Sequence, residues 1–251
     1  MQSIRSLALR APRSYCVKGT LLARQMATSP TVAPEQDSTK HVLRVMPLGG
    51  SITYGVGSSD GNGYRKALQD ILGARGYRIE MVGSRTSGSM NNSANEGWPG
   101  RRIDQIRGKA IKSTAQFLPD IFLVNAGSND CLQDHQIDSA HARLDALLED
   151  LWRVGSPDAT VILSTLVMAA DPTVNERVLR VNEQIRELVS DNLATEVRRV
   201  VLADMYSSDG GLQLADLGPD GVHPNNEGYV KMARVWEKSY LLATWAGFIP
   251  S

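Results

Sequence analysis

Two runs of this chain, Ile121–Asn125 and 160–166, carry apolar residues at consecutive positions over 121–124 and 161–163, and each lies between stretches with helical spacing. A strand with apolar side chains on both faces must be covered on both, which is the situation of the interior strands of a parallel sheet. Parallel neighbours require a crossover, and amphipathic helices supply it here. Strands are expected at 42–48, 77–82, 121–125, 160–166 and 197–203. Helices are expected at 64–74, from Ile103 through Ile111, from Leu144 through Leu151, from Val178 through Leu188, and from Asn225 through Trp236. Five strands alternating with helices, joined by right-handed crossovers, predict an α/β protein: a three-layer α/β/α sandwich around a five-stranded parallel sheet in the flavodoxin-like order 2-1-3-4-5.

The length of 251 residues suits one such domain at 41–251, preceded by a leader and linker at 1–40. Lys plus Arg and Asp plus Glu both total 27, so no basic field for nucleic acid exists. No apolar run reaches the ~20 residues of a membrane span. Before Glu35 the chain has no acidic residue, while Arg5, Arg10 and Arg13 fall opposite Ile4, Leu7, Ala8, Ala11 and Tyr15 on a helical wheel. That composition fits a mitochondrial transit peptide or an inert extension better than a secretory signal, whose apolar core needs ~7 to 15 residues. Cys16 and Cys131 are the only cysteines, which leaves a structural disulfide without support, and Cys131 reads as a small buried apolar residue.

The first strand runs into Gly49-Gly50-Ser51, so the serine is presented at the C-terminal end of a strand, where open α/β sheets place their chemistry. This stretch alone is equally compatible with a plain strand-to-loop turn. Its distant partners bear on the choice. The long polar loop 83–100 carries Trp98 and Gly100, the third strand ends at Gly127-Ser128-Asn129-Asp130, and the last is followed by Asp220-Gly221-Val222-His223-Pro224. All of these loops converge on one edge of the sheet.

A serine hydroxyl is a weak nucleophile until a base within hydrogen-bond reach takes its proton. His223 can be that base, and Asp220 can fix the imidazole tautomer and stabilise the imidazolium. The tetrahedral intermediate needs donors aimed at its oxyanion, for which the N–H groups of Ser51 and Gly100 and the side-chain amide of Asn129 are the candidates. Each has a plainer reading: Gly100 turns the chain into a helix, and Asn129-Asp130 caps one. His41, His135 and His141 lack metal-ligand spacing, so no metal site is expected. The glycine-rich loop 55–63 lacks the Gly-Lys-Ser/Thr ending of a phosphate-binding loop and reads as a flexible rim.

Gly49-Gly50-Ser51, Gly100, Gly127-Ser128-Asn129-Asp130 and Asp220-Gly221-Val222-His223 together resemble, in order, the four sequence blocks of the SGNH (GDSL-type) hydrolase superfamily. Longer stretches resemble carbohydrate esterase family 3, the acetylxylan esterase type: Arg44-Val45-Met46-Pro47-Leu48, Gly63-Tyr64-Arg65, Gly100-Arg101-Arg102-Ile103-Asp104, and His223-Pro224-Asn225 with Gly228-Tyr229. The resemblance implies an α/β/α fold, a Ser-His-Asp triad, no catalytic metal or organic cofactor, and secretion. The leader and the missing disulfide pair point instead to a mitochondrial or cytoplasmic location. Two departures stand out: Gly50 occupies a position where the superfamily often has Asp, and Asn95-Glu96-Gly97-Trp98-Pro99 replaces a more usual His-Ser approach to the oxyanion glycine.

The expected protein is a serine esterase that removes a short acyl group, acetyl first among them, from a small-molecule or carbohydrate ester. Trp98 and Arg65 are candidate substrate contacts. Two alternatives remain open: a lipid or thioester hydrolase or natural-product acyltransferase with the same machinery, and an inactive glycan-binding module.

Overall fold

Strand β1 (Leu43–Gly49) lies inside the sheet and pairs in parallel with β5 (Ile121–Asn125), from Val45 opposite Ile121 to Gly49 opposite Asn125. The computed structural model describes residues 42–195 and 198–250. The leader and linker expected at 1–40, together with His41 and Cys16, lie outside the described residues, as does Val197, the first residue of the strand expected at 197–203. Beyond β5 follow β6 (Thr160–Ser164) and β7 (Val200–Ala203), both parallel.

The other edge of β1 is shared. Its first half pairs with β2 (Ile79–Met81) and its last two residues pair with β4 (Ala94–Gly97), while β3 (Arg85–Thr86) runs antiparallel to β4 outside it. The five expected strands therefore appear in the expected order. The sheet has seven strands, because the long loop of 83–100 contains two more.

Alternation along the interior strands divides the core in two. Phe122, Val124, Val161 and Leu163 face one layer, made with α3 (Ile103–Phe117), α5 (Ala140–Val154) and α6 (Pro172–Thr195). Ile121, Leu123 and Ile162 face the other, with Tyr64, Leu68 and Leu72 of α2 (Tyr64–Ala74) and Tyr229, Met232 and Trp236 of α7 (Asn226–Trp245). Two shorter helices, α1 (Ser51–Tyr54) and α4 (Ser128–Leu132), begin where β1 and β5 end. No helix among the described residues is long and apolar enough to cross a membrane.

The start of α7 fixes the loop that precedes it. Asn225 caps the helix by accepting the Gly228 N–H at 2.9 Å, and its own amide donates to the carbonyls of Ala215 and Leu217. Such a cap stabilises a helix by about 1 kcal/mol. Gly228 is required for contact: a Cβ there would lie 2.2 Å from the Asp216 carbonyl oxygen. Gly228→Ala is expected to cost about 1 to 3 kcal/mol through forced displacement of this backbone. Urea unfolding measures the loss, and an unchanged midpoint would show that the segment yields freely.

Candidate active site

The C-terminal ends of β1, β4 and β5 bring Ser51, Trp98 and Asn129 to one edge of the sheet, and the segment 218–224 closes over it. At the end of β1 the backbones approach too closely for any side chain, since a Cβ on Gly49 would meet the Asn125 carbonyl oxygen at 2.1 Å. Ser51 is the first residue of α1, and its N–H has no acceptor among the described residues. Its Oγ lies 2.7 Å from Nε2 of His223. On the far side of the ring, Nδ1 lies 2.6 Å from Oδ2 of Asp220, and Oδ1 of that carboxylate accepts the N–H groups of Val222 and His223 at 3.0 Å. Partial burial pushes the Asp220 carboxyl up, but the hydrogen bonds from the His223 ring and the two backbone N–H groups outweigh it and hold the group at about 2. Asp220 is therefore an anion at any ordinary pH, and the imidazole carries its neutral-state proton on Nδ1, leaving Nε2 to accept from Ser51.

The loop that holds His223 is tied down throughout. Gly218 N–H donates to the His223 carbonyl at 2.7 Å, and Ala170 N–H donates to the Gly221 carbonyl at 2.8 Å. Tyr229, buried in α7, donates its hydroxyl to the Val56 carbonyl just after α1, so the serine and histidine segments share an anchor. The loop 55–63 packs against the same element, where a Cβ on Gly57 would lie 2.9 Å from that of His223. A flexible rim was the expectation for this loop. Its backbone is instead bound: Asn62 is buried and accepts the Met90 N–H at 2.9 Å, and Gly61 accepts from Arg65.

Asn129 lines a narrow cleft beside Ser51 with Gly50, Ile106, Gly127 and Arg101. One of its two amide hydrogens goes to the Arg101 carbonyl at 3.1 Å, which orients the amide and leaves the other free. Asp130 adds a second tether, because its buried carboxylate accepts the Ile103 N–H at 3.1 Å and pairs with Arg143. A Cβ on Gly50, whose backbone lies at φ −96° and ψ −143°, would come to 3.1 Å from the Asn129 amide nitrogen. In place of an aspartate, the glycine leaves room for that amide. Gly100 adopts φ +76°, in the region glycine tolerates, and its N–H has no acceptor among the described residues. It stands one residue outside the residues lining the cleft.

The two candidate substrate contacts require correction. Arg65 is fully buried and donates to the carbonyls of Tyr54, Gly61, Ser87 and Ser93 and to the Ser87 hydroxyl. Its charge knits α1 to the loops around it and presents nothing to a ligand. Trp98 is half-buried beside the nucleophile turn, with its N–H bonded to the Gly49 carbonyl, but its ring is occupied by the cations of Arg85 and Lys109 at 4.4 and 4.8 Å from the centroid. It is not an open platform for stacking a sugar. Cys131 is buried, and that burial pushes its thiol up to about 12, which removes it as a nucleophile. Sequence reasoning missed Tyr229 as the shared anchor and Glu96, which accepts the Trp98 indole N–H at 2.9 Å. The signal in each case was a polar atom on an otherwise apolar or turn-like stretch.

The comparisons follow this geometry. A multidomain esterase of Ruminococcus flavefaciens is 31% identical over 249 residues, covering 87% of this chain and 31% of that protein. An acetylxylan esterase of Xylanibacter ruminicola is 25% identical over 236 residues, covering 81% of this chain and 43% of that protein. The chain thus spans less than half the length of either relative. A solved family 3 carbohydrate esterase of Clostridium thermocellum superposes with a TM-score of 0.72 at 25% identity, over 82% of this chain and 98% of that one. Residues 48–231 match the model of the GDSL-like lipase/acylhydrolase family, and the chain belongs to that family.

Proposed function

We propose that this protein is a serine esterase that hydrolyses a short acyl ester, acetyl in the first instance, carried on a carbohydrate. The observation that carries the reading is the unbroken chain from Ser51 Oγ through His223 to Asp220, at 2.7 and 2.6 Å. Ser51 attacks the acyl carbonyl while Nε2 of His223 takes its proton, then returns it to the departing alcohol. Water, deprotonated by the same nitrogen, releases the acid from the acyl-enzyme and restores Ser51. The oxyanion is met by the free N–H groups of Ser51 and Gly100 and by the second amide hydrogen of Asn129.

The narrowness of the cleft beside Ser51, whose room is on the scale of a single water, supports a small acyl group over a long chain. The name of the Xylanibacter relative supports acetyl on xylan, and that of the solved neighbour supports an ester carried on a carbohydrate. Labelling by a fluorophosphonate at Ser51 tests the mechanism, and an unlabelled serine would favour the glycan-binding module. Rates on nitrophenyl acetate, butyrate and octanoate, beside acetylated xylan, test the acyl length. A preference for octanoate would favour the lipid hydrolase.

Asn129→Ala is expected to lower kcat by on the order of 10² to 10³ with little change in KM, because the lost donor is needed only once the oxyanion forms. An equal loss in binding alone would remove Asn129 from that role.

A further inference from the structure

Arg85, Arg101 and Lys109 surround the Trp98 side of the nucleophile turn, and among the described residues none of them has a carboxylate partner or makes a side-chain hydrogen bond. Arg85 differs from every other half-buried arginine in this respect. Arg44, Arg102, Arg107, Arg143, Arg177, Arg186, Arg198 and Arg199 all donate to carboxylates, amides or carbonyls. The guanidinium of Arg85 is instead held by two rings, 4.9 Å from the centroid of Tyr54 and 4.4 Å from that of Trp98, with Nε buried and without a partner. Contact with π faces fixes a guanidinium while leaving its donor edge unused.

Both rings belong to residues that adjoin the nucleophile turn. Tyr54 ends the helix that Ser51 begins, and Trp98 is bonded to Gly49 immediately before the nucleophile turn. Glu96, the acid bonded to Trp98, is already engaged, accepting the Ser84 N–H on one oxygen and the Trp98 indole N–H on the other. Arg101 is exposed and lines the cleft beside Ser51, and Lys109 reaches the indole from α3. Three uncompensated cations with a preset guanidinium edge suit a planar or tetrahedral oxyanion group, which accepts two N–H bonds at once.

Resting on the esterase reading above, we propose that Arg85, with Arg101 and Lys109, forms a subsite for a carboxylate or phosphate on the ester substrate. On that reading the acyl group is acetyl, which carries no anionic group of its own, so the anion belongs to the alcohol portion. The substrate class is then an acylated acidic sugar, a uronic acid or a sugar phosphate, in preference to a neutral one.

The test compares kcat/KM for acetylated methyl glucuronide, acetylated glucose 6-phosphate and acetylated methyl glucoside. The wild-type chain is expected to favour at least one anionic ester over the neutral one by about tenfold or more, chiefly through KM, and the better of the two identifies carboxylate or phosphate. Arg85→Met is expected to abolish that preference, and Arg85→Lys to retain only part of it, since an ammonium keeps the charge without the fork. Inorganic phosphate is expected to inhibit the wild type competitively on the preferred ester, a measurement that needs no variant. Equal kcat/KM on all three esters, or an undiminished preference in Arg85→Met, would overturn the subsite. Fluorophosphonate labelling of the same preparations separates the two readings: labelled Ser51 with no anion preference sinks the subsite alone, and unlabelled Ser51 sinks the esterase.

Discussion

Ser51→Ala is expected to reduce kcat by on the order of 10⁴ to 10⁶ and to abolish fluorophosphonate labelling, with the fold intact. The size follows from how the parts act together. Without Oγ there is no acyl-enzyme, and His223 has nothing to deprotonate except water in a site arranged around another atom. What survives is binding and oxyanion stabilisation, which in triads of this kind leaves a residual rate well above the uncatalysed one. Ser51 is only half-buried and its side chain bonds to His223 alone, so its removal leaves no buried group unsatisfied and costs little stability. Steady-state rates on nitrophenyl acetate with a circular dichroism spectrum decide the matter. A variant that retains a tenth of the activity would move the nucleophile elsewhere.

Asp220→Asn is expected to reduce kcat by on the order of 10³ to 10⁴, the second largest effect. An asparagine amide facing Nδ1 can donate to it, and the ring proton then moves to Nε2. That nitrogen would face Ser51 as a donor and could no longer accept its proton. With side-chain exposure of 53%, Asp220 is open to water, which partly restores the correct tautomer and keeps the loss at this range. The pH dependence carries a second sign. Because the Asp220 carboxyl sits at about 2, below the ordinary 3.8, its contribution to stability is present above the ordinary value and is lost as pH falls through about 2. The wild type therefore loses stability in that acid window, and Asp220→Asn does not share this part of the loss. Activity lost at any pH above about 3 belongs to another group than Asp220. Acid titration of unfolding and pH–rate profiles of the two proteins measure both effects, and a wild-type carboxyl that titrates in the ordinary range would contradict the hydrogen-bonded arrangement.

The features that sequence made legible share a physical cause. β5 and β6 are buried on both faces, so their middle positions, 121–124 and 161–163, are constrained to be apolar and the runs stand out. The helix at Tyr64–Ala74 has an apolar face and a glycine just beyond its end, and its boundaries were readable. The grouping of Ser51, Asp220 and His223 was legible because Ser51 directly follows β1 and the other two share one short loop, as the proposed chemistry requires. Other features had no such demand. β3 and β4 contain only two and four residues, and Asn95 and Glu96 are buried polar residues whose partners, Ser87, Ser93, Ser84 and Trp98, come from the same polar segment. No local pattern announces strands of that kind. Arg65 was misjudged for a related reason: a charge is ordinarily solvated, and its burial depends on carbonyls contributed by four separate residues. The helix at α6 extends to both sides of the apolar spacing that located it, since its outer turns carry polar residues.

The divided edge of β1 has a consequence for Pro47. In a parallel ladder alternate residues turn their N–H and carbonyl to opposite neighbours. The Val45 and Gly49 carbonyls accept from Val82 and Trp98 on the β2 and β4 side, whereas that of Arg44 accepts from Asp120 on the β5 side. Pro47, between Val45 and Gly49, therefore turns toward β2 and β4, at the position that neither strand pairs. An imino acid in an interior strand would ordinarily leave a neighbouring carbonyl without its donor. Here its missing hydrogen falls in the seam between two partners. That seam is also a mechanical break: β2 and the β3–β4 hairpin bear on β1 at separate points, so the hairpin that carries Arg85, Glu96 and Trp98 can be remodelled without disturbing how β2 holds the sheet.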